Sequence, residues 1–248
     1  MAMKYGIICD IHSNLEALNL VVDYLKRVEK IERFICCGDI VGYGAKPNEC
    51  TEFIRQLENC LVVAGNHDWG AVGLEDTSFF NPIAREAVEW TRRNLTEDNR
   101  NYLKNLASEI EEKNFMLVHG SPRDPINEYI FEQTTFLANL PGIKKNICFV
   151  GHTHVPLCFY ATSSQQIGEI LLDDGTVVEI NPSYKYLINC GSVGQPRDGD
   201  PRASCGIYDA QRNSLKIKRI EYDIAKTQEE ILNAGLPAAL ALRLGYGR

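Results

Sequence analysis

Every histidine in this chain lies just past the end of a short apolar run. Tyr5 to Cys9 leads into Asp10 and His12, and Phe34 to Cys37 into Gly38 and Asp39. Leu61 to Ala64 leads into Gly65, Asn66, His67 and Asp68, and Phe115 to Val118 into His119. Ile147 to Val150, followed by Gly151, leads into His152 and His154. Runs of this length bounded by glycine or proline predict buried strands. Ligands of an open α/β sheet bind beyond the carboxyl ends of its strands, so five such endings can converge on one crevice. If the extended geometry persists past Gly151, residues i and i+2 project to the same side, about 6 to 7 Å apart. His152 and His154 can then address one site or two adjacent ions. Taken alone, the pair could equally be two surface loop histidines.

The stretches between the runs carry helical signals. Leu15, Leu18, Val21, Val22, Leu25 and Val28 form one apolar face, with Ser13 or Asn14 available to cap it. Pro47 suits the first turn of a second helix bearing Phe53, Ile54 and Leu57. This β-α-β-α-β alternation predicts a parallel sheet covered on both faces. A loop is expected between Trp69 and Phe80, then a helix from Asn81 and Pro82 to Leu95, and one capped by Thr96 reaching Leu106. An irregular segment follows from Gly120 to Ile130, then a short helix near Thr134 to Leu140. The last third reads as six short β-type runs, with Asp174 and Gly175 signalling a hairpin between two of them. From Lys226 a helical tail, spanning about residues 226–248, is broken at Gly235, Leu236 and Pro237. Its apolar stretch Leu236 to Leu244 can pack on the chain's own core or on a second subunit, so oligomeric state is left open. The simplest organisation is one domain over 1–248.

Charge and cysteine usage narrow the function classes. A formal net charge of −7 argues against a general nucleic-acid or membrane-surface partner, because neither anion would be drawn by the overall field. The nine cysteines include Cys9, Cys36, Cys37, Cys148 and Cys190 in or beside apolar runs, and no C-x-x-C pair occurs. They read as small buried hydrophobes of a reducing compartment, and the cytoplasm is the expected location. No long apolar segment suggests a signal peptide or a membrane span.

Candidate metal ligands are the carboxylates of Asp10 and Asp39, the amide oxygen of Asn66, and the imidazoles of His12, His119, His152 and His154. Seven ligands exceed one tetrahedral ion and suit two with a bridging carboxylate. Without thiolates the set favours Mn²⁺, with Fe and Zn²⁺ as alternatives. Ordinary structural roles exist for single members: Asp39 and Gly42 could form a turn, Asp68 a helix cap.

These residues stand in five blocks: Asp10-Ile-His12, Gly38-Asp39-Ile-Val-Gly42, Gly65-Asn66-His67-Asp68, His119-Gly120, and Gly151-His152-Thr-His154. In type and order they resemble the calcineurin-like metallophosphoesterases, whose signature is D-x-H, G-D-x-x-G, G-N-H-[DE], a separate histidine and G-H-x-H. The resemblance spans residues 5 to 156 and implies a two-sheet α/β sandwich. It also implies that Asp10, His12 and His154 hold one divalent ion, that Asn66, His119 and His152 hold a second, and that Asp39 bridges. His67 would then be the leaving group's proton donor, oriented by Asp68. Two such cations would lower the pKa of a shared water and neutralise charge in an in-line displacement.

The segment Gly191-Ser-Val-Gly-Gln-Pro-Arg197-Asp-Gly-Asp-Pro-Arg202 offers Gly-rich backbone and two arginines. Small bacterial and archaeal members of the family carry a similar G-S-V-G segment. Arg197 and Arg202 could bind phosphate oxygens, or they could pair with the interleaved aspartates to hold the loop. The resulting expectation is a cytoplasmic dinuclear phosphoesterase acting on a small phosphate monoester or diester. The rivals are a non-catalytic interaction scaffold on the same fold, which could dispense with His67, and a nuclease, which would need a basic groove.

Overall fold

The apolar runs that begin at Tyr5, Phe34, Phe115 and Ile147 are continuous because both faces of these strands are covered. A computed structural model describes residues 3–248, whose strands form two six-stranded sheets packed face to face. β1 (Lys4–Ile8), β2 (Arg33–Cys36) and β3 (Cys60–Val62) are parallel neighbours in the first sheet. β4 (Glu109–Glu111), β5 (Phe115–Val118), β6 (Ile147–Val150), β7 (Leu157–Ala161) and β8 (Ile167–Leu171) belong to the second. β9 (Val177–Glu179) returns to the first sheet, β10 (Lys185–Asn189) to the second, and β11 (Ala203–Asp209) and β12 (Ser214–Ile220) to the first. Strand orders are β3-β2-β1-β11-β12-β9 and β4-β5-β6-β10-β7-β8.

Alternation along each strand divides the core into three layers. Ile7, Phe115, Leu117, Ile147 and Phe149 meet between the sheets. Ile8 faces outward to Leu18, Val21 and Leu25 of α1 (Leu15–Arg27) and Ile54 of α2 (Pro47–Gln56). Met116, Val118, Cys148 and Val150 face the other way, toward Phe136 of α6 (Gln133–Asn139). Between α2 and α6 the chain forms α3 (Asn66–Val72), α4 (Pro82–Asn94) and α5 (Glu97–Lys104), and it ends in α7 (Ile224–Asn233) and α8 (Ala238–Leu244). The apolar tail packs on its own chain: Leu240, Ala241 and Leu244 are buried with Tyr43, Ala84 and Ala87. No helix among the described residues is long and apolar enough to cross a membrane. All nine cysteines are free.

Three expectations change. Helix α3 starts at Asn66, inside one of the sequence blocks, and reaches into the stretch expected to be a loop. An edge strand, β4, precedes β5 and pairs with it antiparallel. Asp174 and Gly175 do not close a hairpin. β8 pairs with β7 and β9 with β12, so the turn carries the chain from one sheet to the other. Gly175 has φ +85° as a turn residue should, but turn chemistry does not say which strand the next segment will join. Here Asp174 is fastened to β12, accepting from Arg219 N and Lys218 Nζ.

Asn14 ties three parts of the fold together. Its Oδ1 caps α1 at Ala17 N and accepts from Thr227 Oγ1 of α7, while its Nδ2 donates to the Gly194 carbonyl. Replacing it with Ala removes a cap and strands buried partners, so Asn14→Ala should cost about 2 to 3 kcal/mol rather than the ~1 kcal/mol of a simple cap. Urea unfolding of the two proteins measures the difference; a loss below ~1 kcal/mol would show the links to Thr227 and Gly194 to be idle.

Candidate metal centre

Each of four histidines spends one ring nitrogen on a backbone carbonyl. His12 Nδ1 lies 3.1 Å from Val41 O, His154 Nδ1 2.6 Å from Gln195 O, His119 Nδ1 2.8 Å from Cys37 O, and His152 Nε2 3.1 Å from Asn127 O. A carbonyl only accepts, so each of these nitrogens carries a proton, and a ring that is neutral presents a lone pair at the other. Those other nitrogens converge. His12 Nε2 faces His154 Nε2 at 3.0 Å, and His119 Nε2 faces His152 Nδ1 at 3.0 Å with Asn66 Oδ1 3.1 Å away. Burial holds His12 and His154 well below the usual imidazole range, so no shared proton relieves the contact between them. A cation would: histidines whose far nitrogens are pinned to carbonyls are the form in which imidazole binds metals.

The carboxylates complete two groups of ligand atoms that share one residue. Asp10, His12, Asp39 and His154 form one; Asp39, His119 and His152 form the other, with ligand atoms inside 4.8 Å in each. Asp39 Oδ2 stands 3.5 Å from His12 Nε2 and 3.4 Å from His119 Nε2, and Oδ1 accepts from His67 N. Asp10 Oδ1 accepts from His152 N, while its buried Oδ2 has no protein partner. Such a nitrogen and oxygen set fits a divalent ion of intermediate softness. Burial, reinforced by Asp39, pushes the Asp10 carboxyl up to about 7. Burial works to lower His119, but the Asp39 charge outweighs it and raises the ring to about 9. In the metal-free protein that proton supplies the positive charge which the carboxylates require.

The backbone is bent to bring these groups together. Asp10, His12, Asp39, His152 and His154 all have φ between 49° and 68°, in the left-handed region that L-residues rarely occupy. Glycines give the room. A Cβ on Gly65 would lie 2.0 Å from Asp39 Oδ1, and one on Gly42, at φ +97°, would lie 2.4 Å from His67 Nδ1. β10 also ends here, and the loop after it fastens the first strand: Ser192 Oγ donates to Asp10 O and Val193 N to Cys9 O.

His67 lies beside the cluster and is not among its ligand groups. Its ring packs 4.4 Å from Tyr43, 4.9 Å from His12 and 5.1 Å from Phe80, centre to centre. Nδ1 is buried without a partner, and burial lowers the ring to about 4 against the pull of Asp39. Asp68 does not orient this ring. Its oxygens accept from Val41 N and Gly65 N, which pins the two loops that carry Asp39 and Asn66. The glycine-rich segment also divides. Arg197 reaches the site, its Nη2 donating to Tyr43 Oη at 3.3 Å and Gln195 Oε1 at 3.2 Å. Arg202 does not: it is held by Asp200 and Asp174, so it is a loop clamp rather than a phosphate ligand. A cavity of about 570 Å³ opens beside Asn66, His67 and His152, walled by Tyr43, Phe79, Phe80 and Tyr129 and edged by Glu75 and Asp76. Tyr129 stacks on His152 with ring centres 3.7 Å apart. Tyr43 follows Gly42 and was within reach of the motif; Tyr129, Asn127 and Gln195 carry no sequence signal.

A family model described as a calcineurin-like phosphoesterase superfamily domain matches residues 3–213. The chain belongs to the calcineurin-like phosphoesterase superfamily. An uncharacterised protein of Methanocaldococcus jannaschii is 43% identical over 248 residues, covering 98% of each chain. A crystal structure of a metallophosphoesterase from Sphaerobacter thermophilus matches at 41% identity and TM-score 0.88 over 100% of both chains. A hypothetical protein from Pyrococcus horikoshii shares the fold at TM-score 0.82 with 21% identity, over 99% of this chain and 98% of its own. As in a metallophosphoesterase fold generally, the two mixed sheets with flanking helices bring the Asp and His cluster to one edge of the sandwich.

For this phosphoesterase, metal uptake should be proton-linked. A metal must displace the proton on His119, which is held up to a pKa of about 9. Affinity should therefore rise with pH below that value and level off above it, with proton release on binding at neutral pH. Titrating metal-free protein with Mn²⁺ in buffers of different ionisation enthalpy measures the protons released; no release at pH 7 would contradict a protonated His119.

Proposed function

We propose that this calcineurin-like phosphoesterase hydrolyses a small phosphate monoester or diester at a pair of divalent ions, Mn²⁺ by preference and Fe or Zn²⁺ otherwise. The observation that carries the reading is the sharing of Asp39 Oδ2 between His12 and His119, beside a buried histidine that borders an open cavity. Asp10, His12 and His154 would hold one ion, Asn66, His119 and His152 the other, and Asp39 both. Ions held there supply charge that neutralises phosphoryl oxygens and activates the attacking water.

The chain's own residues divide the remaining work. His67, with Nδ1 buried, has Nε2 as its accessible polar atom, and from it would pass a proton to the leaving-group oxygen. Tyr43 and Phe80 keep water from its ring. Burial leaves His67 neutral in the resting site, so its proton arrives with the substrate: an anionic phosphoryl group beside the ring raises its proton affinity. Arg197, carrying a buried Nε without a partner, would hold a phosphoryl oxygen. A net charge of −7 argues for a small phosphorylated substrate over nucleic acid, and nine free cysteines for a reducing cytoplasm. A scaffold without catalysis has no use for a histidine poised over such a cluster.

His67→Asn tests the reading. Metal content should be unchanged, and turnover should fall roughly 10² to 10⁴-fold on alkyl phosphates, whose leaving groups need a proton. The defect should shrink on nitrophenyl esters, which leave as stable phenolates. An equal loss across the series would remove His67 from the acid role, and undiminished activity would assign the hydrolysis elsewhere.

A further inference from the structure

The superfamily model ends at residue 213, but the tail beyond it reaches the site. Leu240, Ala241 and Leu244 anchor α8 against Tyr43, Ala84 and Ala87. That docking places the Arg243 guanidinium 5.6 Å from the centre of the Tyr43 ring, and Arg197 stands 5.7 Å from the same ring. Tyr43 is itself buried against His12 and His67, at 4.6 and 4.4 Å. Two guanidiniums are therefore gathered on one aromatic ring that touches both a metal ligand and the proposed acid.

Neither meets an acidic side chain. Among the described residues, no Asp or Glu side chain pairs with Arg197 or Arg243. Arg197 donates to Tyr43 Oη and Gln195 Oε1, and Arg243 Nε to the Arg248 backbone oxygen. Arg202 and Arg219 from the same region are matched with Asp200, Asp174 and Asp198. Burial and the neighbouring Arg197 charge both weigh on Arg243. Like charges held together in a partly buried place, with a buried Nε left over, call for an anion.

We infer that Arg197 and Arg243, braced on Tyr43, form an anion seat that selects the doubly charged phosphoryl group of a monoester over the singly charged group of a diester. The inference rests on the proposed phosphoesterase reading and narrows its substrate class. Its geometry has two sides. The cavity beside His67 receives the leaving group, and neither arginine lines it. The arginines stand on Tyr43, one wall of that cavity, where they would meet charged phosphoryl oxygens and find no match in an ester substituent. Planar guanidiniums match the oxygens of a dianion and gain little from a substituted oxygen.

Calorimetry on Mn²⁺-loaded protein at pH 8, with inorganic phosphate and dimethyl phosphate as probes, tests the seat without requiring turnover. Wild type should bind phosphate at least about tenfold more tightly. Arg243→Gln should weaken phosphate by about tenfold to a hundredfold and leave dimethyl phosphate within about twofold. Arg243→Lys, which keeps the stem and the charge but loses the fork, should fall between them with an unchanged melting temperature. Equal losses for both anions, or none, would overturn the seat. Rates on p-nitrophenyl and bis-p-nitrophenyl phosphate separate the two claims. Hydrolysis with phosphate binding indifferent to Arg243 refutes the seat alone, whereas Arg243-dependent binding with no hydrolysis of either ester refutes the enzyme reading and leaves the seat standing.

Discussion

Two imidazole nitrogens that both carry lone pairs, Nε2 of His12 and Nε2 of His154, face each other 3.0 Å apart in a buried site, and beside them Nε2 of His119, holding a proton beside Asp39, stands equally close to His152 Nδ1. Electron-rich atoms desolvated in this way repel unless a positive charge lies among them. The carbonyls of Val41, Gln195, Cys37 and Asn127 enforce the arrangement, because each holds one nitrogen of a ring and turns the other inward. Asp39 links the two pairs through a single oxygen, which is why the cluster is one centre with two halves.

Holding such a cluster requires a rigid frame. Five residues of the cluster adopt left-handed backbone angles, each of which costs on the order of 1 to 3 kcal/mol when the residue is not glycine. The frame that sustains them is the sandwich, in which β1, β2, β5 and β6 are covered on both faces, β3 is partly covered, and all five end at the same edge. Asp68 then locks the loop after β2 to the loop after β3 through two backbone N–H groups. Gly42 and Gly65 allow side chains to approach backbone more closely than any Cβ would permit. The motif glycines and Asp68 therefore serve the geometry of the cluster, and His67 is the member of that set proposed to act on a substrate.

Much of this was legible in the sequence, for a physical reason. Strands buried on both faces appear as unbroken apolar runs, and each run here ends in a group able to bind metal, so both the strands and the cluster announce themselves. A cap at Ser13 or Asn14, which the structure gives to Asn14, and the start of α2 at Pro47 were equally visible, because caps and prolines act locally. Features decided at long range were not. The partner of β9, the weak edge strand β4, and the carbonyls that set the tautomers depend on which segments meet in space. Asp68 and Arg202 illustrate the limit. Both residue types suit the roles first suggested for them, but Asp68 finds two backbone donors and Arg202 two aspartates closer at hand. Arg243 gave no signal because its approach to the site depends on how α8 docks.

The central claim is that the facing nitrogens are two halves of a metal centre joined by Asp39. Anomalous diffraction from crystals soaked in Mn²⁺, recorded on both sides of the manganese edge, addresses it directly. Two peaks are expected on either side of Asp39, one among Asp10, His12 and His154 and the other among Asn66, His119 and His152. Full occupancy of a single peak with the second group of histidines empty, or peaks only at the protein surface, would contradict it.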